Sequence, residues 1–458
     1  MNEGTFAIFA TLLVVISLVG ALVVADNTDS VDSIGWSPPM SDVHDHDPPI
    51  EPGIATVDGE DFETAQGAID AAKPGDTVVL EGYFAERLVV ETANVRILGA
   101  DGATSAIFDG EGSGTVLEIQ ASNVTVSNIW IHDSGDLRAN EDAAIFVNGS
   151  DARIVNARLT AVTFGVWING ASGVTVEGTT IVGKDSIYPL TNRGNGIHLW
   201  DADGAVLRDN RITSVRDGIF YSWSENVLAE DNVIWNVRYG VHYMYSDDNI
   251  LRNNTAYNND VGFALMVSKN LTIDGNLAID NRGQSSHGIF VKDIEQSQIS
   301  NNVIVNNGNG FYVYNAHDNV IADNLVQGNN RGISVAAGSS GELVVGNSFV
   351  NNDHAAYVDT RSQVSWNDSD RGNYWSDART VDLDGNGISE IRYQPAGTVE
   401  RLVYEYPQAA VFADSPAFDT VQLAESSFPV IETPGAVDHH PLVEPNHDPM
   451  EYQHEYRN

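Results

Sequence analysis

Apolar residues through the middle of this chain follow a strand-like alternation that restarts at regularly spaced glycines. Gly-apolar-x-apolar tetrads begin at Gly196, Gly218, Gly240, Gly262, Gly288, Gly310 and Gly332, at intervals of 22, 22, 22, 26, 22 and 22 residues. Fourteen residues after the first six glycines stand Asn210, Asn232, Asn254, Asn276, Asn302 and Asn324, and the last coil runs one residue longer to Asn347. Side chains alternate faces along a strand, so the first and third places after each glycine share one side. Those places read Ile197 and Leu199, Ile219 and Tyr221, Val241 and Tyr243, Phe263 and Leu265, Ile289 and Val291, Phe311 and Val313, Ile333 and Val335. All suit a core. So short a period, rich in β-formers and turn residues, belongs to a unit that buries its apolar face only by stacking on its neighbours. The pattern predicts an all-β, right-handed parallel β-helix of roughly eleven coils, with asparagines at the turns stacking into an amide ladder.

Helical spacing of Phe62, Ala65, Ile69 and Ala72, stopped by Lys73-Pro74-Gly75, predicts a short helix over Phe62 to Ala72 that covers the first unpaired rung. The interval from Gly165 to Gly196 exceeds one coil, so a loop should protrude around Asp185 to Asn195. After Tyr357 the repeat fades. The chain therefore divides into 1–25, an apolar N-terminal segment; 26–53, an acidic Pro-rich tether; 54–360, the β-helix; and 361–458, a C-terminal extension.

Charge and the N-terminus bear on the setting. The 64 acidic residues against 23 basic ones give a formal charge of −41, which argues against nucleic acid as a partner. Acidity spread over loops and both ends fits a chain from a salt-loving, haloarchaeal source, where molar salt screens the self-repulsion. Phe6 to Ala25 is apolar enough and long enough to span a bilayer, as an export signal or an uncleaved anchor, and either places the β-helix outside the cytoplasm. There is no cysteine, so soft-metal chemistry must use methionine and histidine.

The second and fourth places after each glycine face outward. They read Trp167, His198, Phe220, His242, Ala264, Phe290, Tyr312 and Ser334, then Asn169, Trp200, Ser222, Met244, Met266, Lys292, Tyr314 and Ala336. A column almost free of carboxylates on so acidic a chain marks a protein interface or ligand groove, or lies under a loop or C-terminal segment. Trp200, Phe220, Phe290 and Tyr312 are the candidate partner-binding anchors. Met244 and Met266 share a column on consecutive coils with His242 on the same strand face, while His198 lies two coils away beyond Phe220. Thioether and imidazole without thiolate suit Cu(I), with His242, Met244 and Met266 converging and His198 joining only through long side chains or a relay; groove packing explains the same residues. Further along, Asp382, Asp384, Asn386 and Glu390 occupy positions 1, 3, 5 and 9 of an EF-hand-like loop with Gly387 at position 6, but Tyr393 replaces the bidentate glutamate. A structural calcium site and a plain acidic turn both fit.

Several stretches resemble the NosD family of nitrous-oxide reductase maturation factors. They are Arg193-Gly-Asn-Gly-Ile-His-Leu-Trp200, Asp217-Gly-Ile-Phe-Tyr-Ser-Trp-Ser224, Arg238-Tyr-Gly-Val-His-Tyr-Met-Tyr-Ser-Asp-Asp-Asn249, Gly372-Asn-Tyr-Trp-Ser-Asp377, Asp382-Leu-Asp-Gly-Asn-Gly-Ile388, Ser427-Phe-Pro-Val430 and Pro441-Leu442. The resemblance implies an extracytoplasmic, non-enzymatic protein that docks on an ABC transporter membrane subunit with its ATPase. It also implies work with a copper chaperone to supply the copper-sulfide centre of nitrous-oxide reductase. The alternative is a β-helical polysaccharide lyase, hydrolase or epimerase, for which Asp247, Asp248 and Glu225 are the best carboxylates. Their places alternate with other charged residues as a solvated turn would.

Overall fold

The computed structural model describes residues 48–448 apart from 101, 103–104, 361, 413–414, 419 and 422–433. The apolar segment 1–25 and most of the tether lie outside the described residues, and among those described no helix is long and apolar enough to cross a membrane.

Each turn of the solenoid lays down one strand on each of three parallel faces. The first face stacks twelve strands from Leu88–Val90 to His354–Val358 and carries all the glycine tetrads. The second and third faces share the strand Thr77–Phe84, which pairs with Arg96–Gly99 on one and Ala106–Asp109 on the other. With about 13 turns rather than roughly eleven, the stack is on the order of 60 Å tall.

Register on the first face follows the repeat. Ile197 pairs with Ile219 and Leu199 with Tyr221, and the next coil continues with Val241 and Tyr243. Every predicted inward residue from Ile197 to Val335 is buried. The glycines are needed where coils approach most closely. A Cβ on Gly218 would lie 2.4 Å from Ile234 Cγ2 and 2.5 Å from the Gly240 carbonyl oxygen. The absent side chain thus lies toward the core.

The predicted amide ladder is present. Asn210, Asn232, Asn254, Asn276, Asn302, Asn324, Asn347 and Asn373 are fully buried at the turn between the second and third faces. Each Nδ2 donates to the next Oδ1 at 2.8 to 3.0 Å. A second ladder follows five residues later, at the turn back to the first face: Asn259, Asn281, Asn307, Asn329 and Asn352, with Asn281 to Asn352 joined amide to amide at 3.0 to 3.1 Å. Its equally regular spacing was visible in the sequence.

Both ends are closed. The capping helix runs over Ala65–Ala71, shorter than Phe62 to Ala72, because Glu60–Phe62 pairs antiparallel with Ile54–Val57 before the Thr64 hydroxyl caps the helix at Gly67 N. At the other end Tyr374–Trp375 adds the last rung of the third face. Three strands, Gln363–Ser365, Gly435–Asp438 and Tyr393–Ala396, fold over it. The buried Asp438 carboxylate accepts from Asn373 N at 2.7 Å and Trp375 Nε1 at 2.9 Å, ending the asparagine ladder with an acceptor.

Asn254→Ala should cost about 2–4 kcal/mol, because it strips the Oδ1 acceptor from the buried Asn232 N and Nδ2 and takes one of two donors from Asn276 Oδ1. Asn148→Ala, on an exposed amide, should stay within about 0.5 kcal/mol. Denaturant midpoints at fixed salt check both; equal midpoints would make the ladder energetically idle.

Candidate functional site

The outward column of the first face becomes a stack of rings. Pairing aligns Trp167, His198, Phe220 and His242 on successive coils. Ring centroids are 3.8 Å apart from Trp167 to His198, 4.9 Å from His198 to Phe220 and 4.9 Å from Phe220 to His242. The two histidines therefore sandwich a phenylalanine and do not meet on one ion directly.

Much of this column is covered, which selects the reading of a stripe lying under loops for these rungs. Trp167 is 8% exposed and His198 and His242 each 7%; Ala264 and Ser334 are also buried. Of the predicted partner anchors, Trp200 is 46% exposed. Phe220 is half-buried between the histidines, and Phe290 and Tyr312 are half-buried beside His287, on which Tyr312 stacks at 4.7 Å. Cover comes from two loops, 133–142 and 184–195, tied together by Lys184, whose Nζ reaches Asp133 at 2.7 Å and also binds Asp136. Arg138 Nη1 bridges them again at the Thr191 carbonyl, 3.1 Å away. The predicted protrusion near Asp185 to Asn195 thus forms one wall of a cleft of about 860 Å³.

Strict alternation hides a further outward position. Because the missing side chain of Gly218 lies toward the core beside the inward Ile219, the residue before it, Asp217, reaches the outer face and meets His242. Asp217 is fully buried. Its carboxylate accepts from Arg238 Nε at 2.8 Å and Nη2 at 2.6 Å, from Arg216 Nη2 at 3.1 Å and from His242 Nδ1 at 3.1 Å. Burial opposes ionisation, but the His242 and Arg238 hydrogen bonds and the Arg216 charge outweigh it and hold the carboxyl well below the usual range. Asn195, Arg216, Asp217 and Arg238 were not among the predicted site residues. The available signal was a polar residue directly before a coil glycine, as at Asn195 and Asp217.

The two histidines differ in their surroundings. His242 directs Nδ1 to a carboxylate, and its buried Nε2 has no hydrogen-bond partner among the described residues. Ala264 occupies the next coil in register with it, so no ring closes that side. Met244, two residues along the same strand, and Met266, one coil on, are half-buried; the Tyr245 N to Val267 O bond of 3.0 Å keeps their coils in register. Lys292 pairs with Met266 on the following coil. His198 meets Asn195 Nδ2 through Nδ1 at 3.2 Å, and burial together with the Arg216 charge pushes it down to about 3.

Asp382, Asp384 and Glu390 bring carboxylate oxygens within 4.8 Å of one another. Backbone donors engage the loop too: Gly385 N and Gly387 N bind Asp382 at 2.7 and 2.9 Å, and Leu383 N binds Glu390 at 3.1 Å. Asn386 sends Nδ2 to Asp384 at 3.2 Å and accepts from Ile388 N at 2.8 Å through Oδ1. The carbohydrate-enzyme carboxylates do not converge. Asp247 accepts from Lys269 N, Asp248 from Asn270 Nδ2, and the exposed Glu225 sits one coil away, all in coil-to-coil turn contacts.

Burial also pushes His287 down to about 4. Unfolding lets both histidines recover a value near 6.5, so below that pH the unfolded chain binds more protons and stability falls, for His198 down to about 3. The double variant His198→Gln with His287→Gln should lose less stability between pH 6.5 and 4 than the parent; parallel pH profiles in denaturant titrations would refute the assignment.

Three comparisons bear on identity. The sequence model of the family described as "Periplasmic copper-binding protein (NosD)" matches residues 178–380, which hold His198, His242 and both methionines. A Pseudomonas aeruginosa protein named "Probable ABC transporter binding protein NosD" is 36% identical over 408 residues, covering 85% of this chain and 93% of that protein. A Stutzerimonas stutzeri protein of the same name is 37% identical over 353 residues, covering 74% and 80%. Among solved structures, the A-module of the Azotobacter vinelandii mannuronan C-5 epimerase AlgE4 has a TM-score of 0.48 at 20% identity, covering 67% of this chain and 89% of that one. On the strength of the two relatives, this chain belongs to the NosD family.

Proposed function

We propose that this protein is an extracytoplasmic maturation factor for nitrous-oxide reductase. It docks the reductase and a copper chaperone onto an ABC transporter, membrane subunit and ATPase together, and passes Cu(I) through a transient site of His242, Met244 and Met266. The observation that carries this reading is the state of His242. Its Nδ1 faces a buried, ionised carboxylate, which fixes the tautomer with Nδ1 protonated and leaves the Nε2 lone pair unused. The same carboxylate–imidazole pairing raises ligand basicity in metal sites. Two thioethers on adjoining coils supply the soft donors Cu(I) prefers. The family's description as periplasmic and copper-binding and the relatives' name as transporter-binding proteins support the location and the partner. The role is delivery, with no reaction of its own, and Trp200, Phe290 and Tyr312 are the docking anchors with exposed or half-exposed rings.

Calcium has a separate, structural place in this proposal, at Asp382, Asp384, Asn386 and Glu390 beside the C-terminal cap. Added calcium should raise the melting temperature of the parent and leave Asp384→Ala unchanged; a parent that ignores both calcium and chelator has no such site.

Replacing His242, Met244 and Met266 together by alanine should abolish Cu(I) retention in anaerobic competition against a chromogenic Cu(I) chelator. In cells it should leave the reductase deficient in copper. Asp217→Asn should weaken retention by about 10–100-fold by loosening the imidazole. Trp200→Asp should stay folded and keep copper but capture less transporter. Undiminished Cu(I) binding by the triple variant would remove the site from this reading.

A further inference from the structure

The cleft beside His198 is separate from the proposed copper position and has the opposite electrostatic character. Phe220 stands between His198 and His242. On the His242 side the nearest charge is the Asp217 carboxylate; on the His198 side it is arginine. Arg138 and Arg216 line the cleft. Burial and then the charge of Arg216 push the Arg138 guanidinium down, with Asp217 opposing. Against them stands the buried Asp217 carboxylate, which accepts from Arg238 Nε and Nη2 and from Arg216 Nη2. Asp136, paired with Lys184, and the exposed Glu141 also line the cleft. The cleft thus offers two arginines beside two acids, on a chain of net charge −41.

Its polar atoms are built for a ligand of particular chemistry. Trp167 Nε1 is buried without a partner and can only donate. His198 receives Asn195 Nδ2 on Nδ1, which places the ring proton on Nε2, another buried atom without a partner. Asn195 Oδ1 is buried without a partner as well, and it can only accept. Two unpaired donors and two guanidinium groups ask for an anionic oxygen pair; the unpaired acceptor asks for a hydroxyl. Buried polar groups left unpaired are costly, so an arrangement of this kind is sustained by what it binds. Trp167, Trp200 and Phe220 give apolar walls for a carbon skeleton, and the cleft of about 860 Å³ has room for one.

We infer that this cleft binds a small hydroxylated carboxylate, a hydroxy acid or sugar acid, with its carboxylate toward Arg138, Arg216, Trp167 and His198 and a hydroxyl at Asn195. A metal cation is disfavoured at His198 for the same reason that the anion is favoured, since the arginine charges repel one and attract the other.

The test titrates the full chain at high salt with D-glucuronate and separately with lactate, following tryptophan fluorescence and binding heat, with D-glucose as the neutral control. Saturable binding of at least one acid and none of glucose is expected. Arg138→Gln, on an exposed loop residue, should weaken the acid about tenfold or more through loss of a charge-assisted contact. His198→Gln should weaken it as well, with Arg138→Gln serving as the measure if that variant folds poorly. Protein loaded with Cu(I) should bind the acid undiminished, and the His242, Met244 and Met266 triple variant should bind it like the parent, so failure here is distinguishable from failure of the copper reading. Glucose binding as well as the acids, no saturable response to either acid, or binding indifferent to both Arg138→Gln and His198→Gln would each overturn the inference.

Discussion

From Asn210 to Asn373 each coil of this solenoid turns inside the stack, where water cannot reach the backbone, and the asparagine ladder is what makes such a turn tolerable. Each buried amide binds backbone carbonyls of the chain around it and the amide of the next coil, as Asn254 does with Ala229 O, Arg252 O and Asn276 Oδ1. A side chain one methylene longer or without the amide could not close that set. The ladder ties coil to coil at a fixed residue offset, and the alignment of everything else follows from it. Ring stacking outside, from Trp167 to His242, and tyrosine stacking inside, at Tyr221 and Tyr243, are both products of a register that cannot slip.

The glycine column sets a second condition. Where Gly218 and Gly240 approach, there is no space for a Cβ, and the strand loses its strict alternation there. This is how a fully buried carboxylate comes to stand on the outer face with two arginines and a histidine around it. Without those partners its burial would be strongly unfavourable. With them, one aspartate organises two contrasting neighbourhoods only two coils apart. His242 keeps a carboxylate on one nitrogen and an unused lone pair on the other, whereas His198 is pressed toward neutrality by burial and by arginine. Phe220, wedged between the rings, keeps the two apart.

The ends answer the problem of any parallel stack, an exposed row of unpaired strand edges. A seven-residue helix covers one mouth, and its first amides are taken up by the Glu86 carboxylate at 3.1 Å. At the other, Asp438 supplies the final acceptors to the ladder, and Trp366 and Trp375 fill the core behind it. The acidic excess is spread over exposed loops, and the cleft by Arg138 and Arg216 carries Asp136 and Glu141 as well.

What the sequence by itself determined was the periodic part of the protein. Glycine and asparagine at a near-constant offset specify a stacked β-coil, strand parity names the core residues from Ile197 to Val335, and same-column placement puts Met244 over Met266 and His242 beside them, because all of these depend only on spacing along the chain. Even the second ladder from Asn259 to Asn352 lay in that register. Tertiary structure decided what is not periodic. Loops 133–142 and 184–195 fold back over the first face and decide between the open and covered readings of its outward column, and Lys184 joins them across a sequence distance that no local pattern encodes. The outward position of Asp217 and the meeting of Arg138 with Arg216 likewise arise from backbone crowding and chain return, which are properties of atoms packed in space and leave no repeat in the sequence to read.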